Sequence, residues 1–237
     1  MGNNYFQFKQ FRVEQDKCGM KVTTDACIQG AWTPVFPRVT RMLDIGTGTG
    51  LLSLMLAQRN SGITIDAIEF DKEAARQAVG NTNASPWKDR ITILEGDVRD
   101  HISGDKYDLI ISNPPFFNNS LLGDDVSKNR ARHTLSLSYA ELIKAIATNL
   151  LDDGYVSIML PYTEYLQWKE LAGEASLQEF ERLSVSHTPG GTVKRVVGLF
   201  RKGETGAPQE HRIIIKGDDN VYTPGFTDLL SPFYLDL

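Results

Sequence analysis

The sequence predicts an α/β protein: a mostly parallel sheet with helices on both faces and an antiparallel strand near the C-terminus. Three observations carry that expectation. From residue 40 onward, short β-rich runs alternate with segments of helical periodicity, the pattern of parallel βαβ units. A glycine-rich turn closes the first run and opens a helix. The last β-rich runs follow one another closely, so at least one pairing there is antiparallel.

Taken in order, "TRMLDIG" (40–46) reads as the first strand and "GLLSLMLAQRN" (50–60) as a helix with Leu51, Leu54, Met55 and Gln58 on one stripe. "GITIDAIEF" (62–70) is the second strand. "DKEAARQAVGNTNA" (71–84) is a helix for which Asp71 is the N-cap candidate. "RITILEGD" and "YDLIISNPP" supply the third and fourth strands. Tyr139, Leu142, Ile143, Ile146, Ala147 and Leu150 then mark one helical face. "GYVSIMLP" is a fifth strand and "YTEYLQWKELAGEA" a helix, and "EFERLSVSHT", "VKRVVGLFRK" and "EHRIIIK" close the chain as strands. Residues 1–38 lie outside the alternation and read as an N-terminal extension, with one domain over 39–237. The loop 118–138 is long for a compact domain, which points to function or disorder.

The 237 residues can bury a full core, and two cysteines, Cys18 and Cys27, are too few for a disulfide scaffold or a zinc site. That, with the lack of an apolar signal core or membrane span, predicts a reduced, cytoplasmic protein that uses no metal. The net charge of −5 argues against a general nucleic-acid binder. Basic residues nevertheless gather locally: Lys9, Arg12, Lys17 and Lys21; Lys128, Arg130 and Arg132; and Arg182, Lys194, Arg195, Arg201 and Lys202.

"LDIGTGTG" (43–50) places Gly46, Gly48 and Gly50 at a strand-to-helix turn, where they permit tight turning and close ligand approach. Its G-x-G-x-G spacing puts Leu51 where a dinucleotide fingerprint has its third glycine, which disfavours a pyrophosphate cofactor. It resembles the S-adenosylmethionine loop of Rossmann-like methyltransferases. Glu69 ends the second strand, placed to accept both hydroxyls of a ribose, and Asp97 ends the third, placed for an adenine amino group with the Val98 amide beside it. Singly each is an ordinary strand-end carboxylate; three such features at successive tips of one sheet argue for a ligand.

The fourth strand delivers Asn113, Pro114, Pro115 and Phe116 to the same edge. The prolines hold the chain extended and donate no N–H, so the carbonyls here can face a cleft beside the Asn113 amide oxygen. Two acceptors and an aromatic ring suit a planar NH₂ group on a π-system: gripping its two hydrogens localises the nitrogen lone pair for in-line attack on a methyl group. Alone, this stretch would read as a strand terminator.

"DIGTGTG" with "NPPF" resembles the amino-group methyltransferases of the Rossmann-like class. "FKQFRV" (8–13), "CGMKVTTDA" (18–26), "GAW" (30–32), "ARHTLSLS" (131–138), "KRVV" (194–197) and "YTPGFTDLLSPFYLDL" (222–237) resemble one bacterial family, the tRNA-Val (adenine-37-N6)-methyltransferases. The resemblance implies a class I fold with a seven-stranded sheet, S-adenosylmethionine as cofactor, and a cofactor loop at Asp44, Gly46, Gly48 and Gly50. It implies Glu69 for the ribose, Asp97 for the adenine, and catalysis at Asn113, Pro114, Pro115 and Phe116. Lys21, Val22, Thr24 and Asp25 would cover the cofactor from the N-terminal side; Thr23 stands where a glycine is common. Arg132 and His133 would touch RNA or order their loop. Lys9, Lys21, Lys128, Arg130, Arg132, Lys194 and Arg195 are candidates for phosphate contacts on the anticodon stem-loop of a tRNA bound by a monomer. The alternatives are adenine methylation in ribosomal RNA or DNA, glutamine-N5 methylation of a protein, and a non-catalytic RNA-binding module.

Overall fold

The computed structural model describes residues 3–114 and 137–237. Its strands are β1 (Tyr5–Gln7), β2 (Arg12–Glu14), β3 (Arg41–Ile45), β4 (Thr64–Glu69), β5 (Ile91–Glu95), β6 (Tyr107–Ser112), β7 (Leu150–Pro161), β8 (Leu177–Ser186), β9 (Val193–Lys202) and β10 (Gln209–Ile214). The helices are α1 (Thr24–Trp32), α2 (Leu51–Arg59), α3 (Lys72–Asn83), α4 (Tyr139–Asn149), α5 (Tyr162–Glu174) and α6 (Pro224–Leu230).

β10-β8-β9-β7-β6-β3-β4-β5 is the order across the main sheet, and β1 and β2 form a separate antiparallel pair. β9 runs antiparallel to both β7 and β8; every other pairing in the main sheet is parallel. The alternation of strand and helix thus gives the expected parallel core, and the closely spaced terminal runs give the expected antiparallel strand. The described sheet has eight strands where seven were expected, because "EHRIIIK" adds parallel to the open edge of β8.

Strand parity divides the core. Leu109 and Ile111 face the side covered by α1, α2 and α6, whereas Ile110 faces the side covered by α4 and α5. All three are fully buried, each stabilising the fold by about 1.5–3 kcal/mol. The caps follow the local sequence. Asp71 accepts from the Ala74 N–H at the start of α3, Ser138 and Glu141 form a reciprocal capping box on α4, and Thr223 caps α6 ahead of Pro224. Thr23 caps α1 through the Ala26 N–H, a use for the hydroxyl at the position where glycine was expected.

The N-terminal extension contributes to the core. Phe8 and Val13 are fully buried in the α1/α2-side core, and Phe8 bridges to Tyr234 near the C-terminus. Neither the β1–β2 pair nor α6 was visible as periodicity, since three-residue strands and a seven-residue helix are too short to show it.

Candidate active site

The strand tips of β3, β4, β5 and β6 meet at one edge, where a cleft of about 220 Å³ is walled by Ile45, Gly46, Ile68 to Asp71, Gly96 to Arg99, Ser112, Pro114 and Leu137. Gly46, Gly48 and Gly50 all have positive φ, at 71°, 55° and 83°. A side chain at any of them would be strained, which is why the turn is written in glycine. A Cβ on Gly46 would meet nothing within 4 Å, so the backbone there is open to a ligand.

Glu69 is the carboxylate that binds this loop. Its Oε2 accepts from the Gly48 N–H at 2.8 Å and its Oε1 from the Asp71 N–H at 2.9 Å. Each oxygen keeps a further lone pair, so the group can hold the loop and still accept from a diol. Asp44 sits below the loop and is fully buried. The Thr47 and Ser53 hydroxyls each donate to its Oδ2 at 2.7 Å, while its Oδ1 has no partner among the described residues. Burial pushes its carboxyl up to about 6, against the lowering effect of those two hydroxyls. Asp44 therefore shapes the turn from beneath and lies off the cleft walls.

Asp97 and Val98 line the cleft as the sequence suggested, with a neighbour it did not reveal. Arg99 grips Asp97, its Nε at 3.0 Å from Oδ1 and 2.9 Å from Oδ2, and reaches Glu141 of α4 at 3.3 Å. These bonds hold the Asp97 carboxyl below the usual carboxylate range. Phe70, half exposed, completes an apolar slot with Ile45, Ile68, Val98 and Leu137.

Asn113 and Pro114 follow β6 directly. The Asn113 Oδ1 is buried and has no partner among the described residues. Pro115, Phe116, Lys128, Arg130, Arg132 and His133 lie outside the described residues. Of the other candidates, Thr24 opens α1, and Lys21 is exposed with its Nζ 3.3 Å from the Asn3 carbonyl. Both lie off the described cleft walls, although the segment before them does reach the loop: the Cys18 Sγ is 3.3 Å from where a Gly48 Cβ would sit. Lys9 Nζ donates to the Ser231 carbonyl at 2.7 Å at the end of α6. Lys194 is exposed on β9, and Arg195 pairs with Asp25 of α1 at 3.1 Å.

Two polar side chains went unread in the sequence. Asn81 of α3 joins three segments, donating to the Glu14 and Thr49 carbonyls at 2.9 Å each and accepting from the Glu14 N–H at 2.9 Å. Gln29 of α1 is fully buried behind β6. The available signal was an amide inside the otherwise small and apolar run "ACIQGAW". No metal-binding cluster of His, Cys, Asp or Glu and no helix able to cross a membrane occurs among the described residues.

An open glycine turn, a carboxylate with lone pairs to spare for a diol, an apolar slot wide enough for a planar ring and an amide oxygen at the next strand tip fit one cofactor chemistry. They fit the nucleoside and sulfonium of S-adenosylmethionine in a Rossmann-like sheet. Residues 33–137 match the family model "Methyltransferase small domain". Among solved structures, a predicted O-methyltransferase from Agrobacterium tumefaciens shares the fold at TM-score 0.67 and 18% identity, over 88% of this chain and 96% of its own. The mitomycin 7-O-methyltransferase does so at TM-score 0.52 and 19% identity, over 75% of this chain and 53% of its own. The protein is thus an S-adenosylmethionine-dependent methyltransferase of class I fold.

Full-length relatives narrow the class. The tRNA1(Val) (adenine(37)-N6)-methyltransferase of Dyadobacter fermentans is 42% identical over 98% of each chain. Its namesake in Bacteroides thetaiotaomicron is 42% identical over the whole of both chains, and that of Flavobacterium johnsoniae 38% identical over 98% of this chain and all of its own. The chain belongs to the tRNA1(Val) (adenine(37)-N6)-methyltransferase family.

Proposed function

We propose that the protein methylates N6 of adenine 37 in the anticodon loop of tRNA-Val, and that the residues at the strand tips carry the reaction. The observation that bears most weight is the Oδ1 of Asn113, buried and without a partner among the described residues, on the residue between Ser112 and Pro114 of the cleft wall. An acceptor left without a donor costs about 1–3 kcal/mol, a cost that a donor arriving with substrate would remove. Bound S-adenosylmethionine supplies an electrophilic methyl group. Glu69 accepts the ribose hydroxyls, the slot of Ile68, Phe70, Val98 and Leu137 holds the adenine, and Asp97 with the Val98 amide accepts and donates at its edge. Asp44 acts one layer further out, through Thr47 and Ser53. Lys21 and Thr24 act from the N-terminal extension, 1–38, which covers the methionine end.

Asn113 Oδ1 and the Pro114 carbonyl accept the two hydrogens of the target amine. That draws its lone pair out of the ring and aims it at the methyl carbon. Pro115 and Phe116 complete the motif, the ring stacking on the flipped base. An anticodon-loop adenine is cheap to extrude because it is unpaired or easily splayed. Lys194 and Arg195 are phosphate contacts on β9, joined by Lys128, Arg130, Arg132 and His133 from the loop after the motif. Lys9, spent on the Ser231 carbonyl, is the weakest of the set. The reading carries with it a cytoplasmic enzyme that works as a monomer without a metal ion.

The test is transfer of labelled methyl from S-adenosylmethionine to unmodified tRNA-Val, with ribosomal RNA, DNA and protein as parallel acceptors. Label at N6 of adenine 37, reduced at least 100-fold in Asn113→Ala, is expected. Label confined to another acceptor, or an Asn113→Ala variant at full rate, refutes the reading.

A further inference from the structure

Gln29 is a polar side chain with no solvent exposure, projecting from α1 onto the back of β6. Its Nε2 donates to the Ser112 carbonyl at 3.0 Å and lies 3.4 Å from both the carbonyl and the hydroxyl oxygen of Ser157. The Ser157 hydroxyl is in turn bonded to that of Thr33 at 2.7 Å, and Ser157, Thr33 and Ser112 are all buried. Ser112 closes the arrangement from the other side, its own hydroxyl donating to the Ile45 carbonyl at the end of β3 at 2.8 Å. Ser112 is bonded to Asn113. The position of the proposed catalytic amide is therefore set one residue upstream by an amide from α1.

The other end of Gln29 is buried as well, and its Oε1 has no partner among the described residues.

We propose that Gln29 is a positioning residue for methyl transfer. Its Nε2 fixes the Ser112 carbonyl and so sets where the next residue, Asn113, presents its amide oxygen to the target amine. The inference rests on the reading of Asn113 as the group that grips that amine. It ties the N-terminal helix to the reacting atoms with no contact of its own to substrate or cofactor.

Gln29→Met keeps the length and volume of the side chain and removes both the donor and the acceptor. The measurement is single-turnover methyl transfer to tRNA-Val at saturating S-adenosylmethionine, with the dissociation constant for the cofactor and the melting temperature recorded in parallel. The expected result is a transfer rate at least tenfold lower with the cofactor dissociation constant within twofold of wild type. Ser157→Ala removes only one of the 3.4 Å partners and is expected to keep the rate within twofold. A Gln29→Met rate within twofold of wild type, while Asn113→Ala is inactive, overturns the inference alone. So does a slowed rate that higher cofactor concentration restores, since that is a binding effect. A wild-type protein that leaves tRNA unlabelled overturns the functional reading and this inference with it.

Discussion

Replacing Glu69 by Gln tests the claim that one carboxylate both builds the cofactor loop and reads the cofactor. The change is nearly isosteric. It leaves one oxygen to accept from either the Gly48 or the Asp71 N–H, now 2.8 and 2.9 Å from the two carboxylate oxygens, and turns an NH₂ group toward the other. A charge-assisted bond worth about 1.5–3 kcal/mol is lost, and a donor is set against a donor. Part of that cost falls on the free protein, because both bonds exist before any ligand arrives; the remainder falls on binding, where a ribose hydroxyl loses a charged acceptor. If about half falls on each, the cofactor dissociation constant rises about three- to twelvefold, one decade for every 1.4 kcal/mol. Isothermal titration with S-adenosylmethionine measures the binding share and thermal unfolding of the free protein the other. A Glu69→Gln protein that binds within twofold of wild type would refute the reasoning, and a loss of binding with no loss of melting temperature would refute the loop-building half.

Two further substitutions probe the scaffold. Asp44 ionises in the folded state at about 6, above its ordinary value of 3.8, so its contribution to stability is fully present below pH 4 and is lost as pH rises through 6. Denaturant unfolding of wild type against Asp44→Asn across pH 4 to 7 should show the wild type losing about 2 kcal/mol relative to the variant; a pH-independent difference would contradict the buried carboxyl. Gly198 on β9 faces Tyr165 and Phe200: an added Cβ would lie 2.7 Å from Phe200 Cε2 and closer still to the Tyr165 ring, whose hydroxyl donates to the buried Glu179. Gly198→Ala should cost about 1–3 kcal/mol by denaturant unfolding, and a neutral result would show that the ring can move aside.

The fold was legible because its signals are long. Five-residue or longer apolar runs separated by periodic helices specify a parallel sheet, and a three-glycine turn can be located to the residue. Asp71 was read correctly as a cap because an acidic residue ahead of a helical run competes for few other roles. The eighth strand was present as "EHRIIIK", but nothing in a strand's own sequence says which edge it joins. At the site, what the sequence offered was the set of strand tips. It could not show that Asp44 would sink beneath the loop, nor that Arg99, two residues past Asp97, would fold back to clamp it. Gln29 and Asn81 act across 83 and 67 positions of chain, on Ser112 and Glu14, and no local pattern encodes partners so remote.

The three bonds of Asn81 carry a consequence for how the molecule yields to stress. They couple a terminal β-ribbon, the third helix and the Thr49 carbonyl of the glycine turn through a single side chain that is almost wholly buried. Fraying that begins at the N-terminus cannot stay there. Once Glu14 pulls free, the amide loses two of its three bonds, and the one that remains is the one to the turn. The usual expectation that chain ends loosen first and harmlessly is reversed: the first strands of this chain serve as a fastener for a loop some thirty-five residues further on, and the order of that loop is only as durable as the ribbon that holds it.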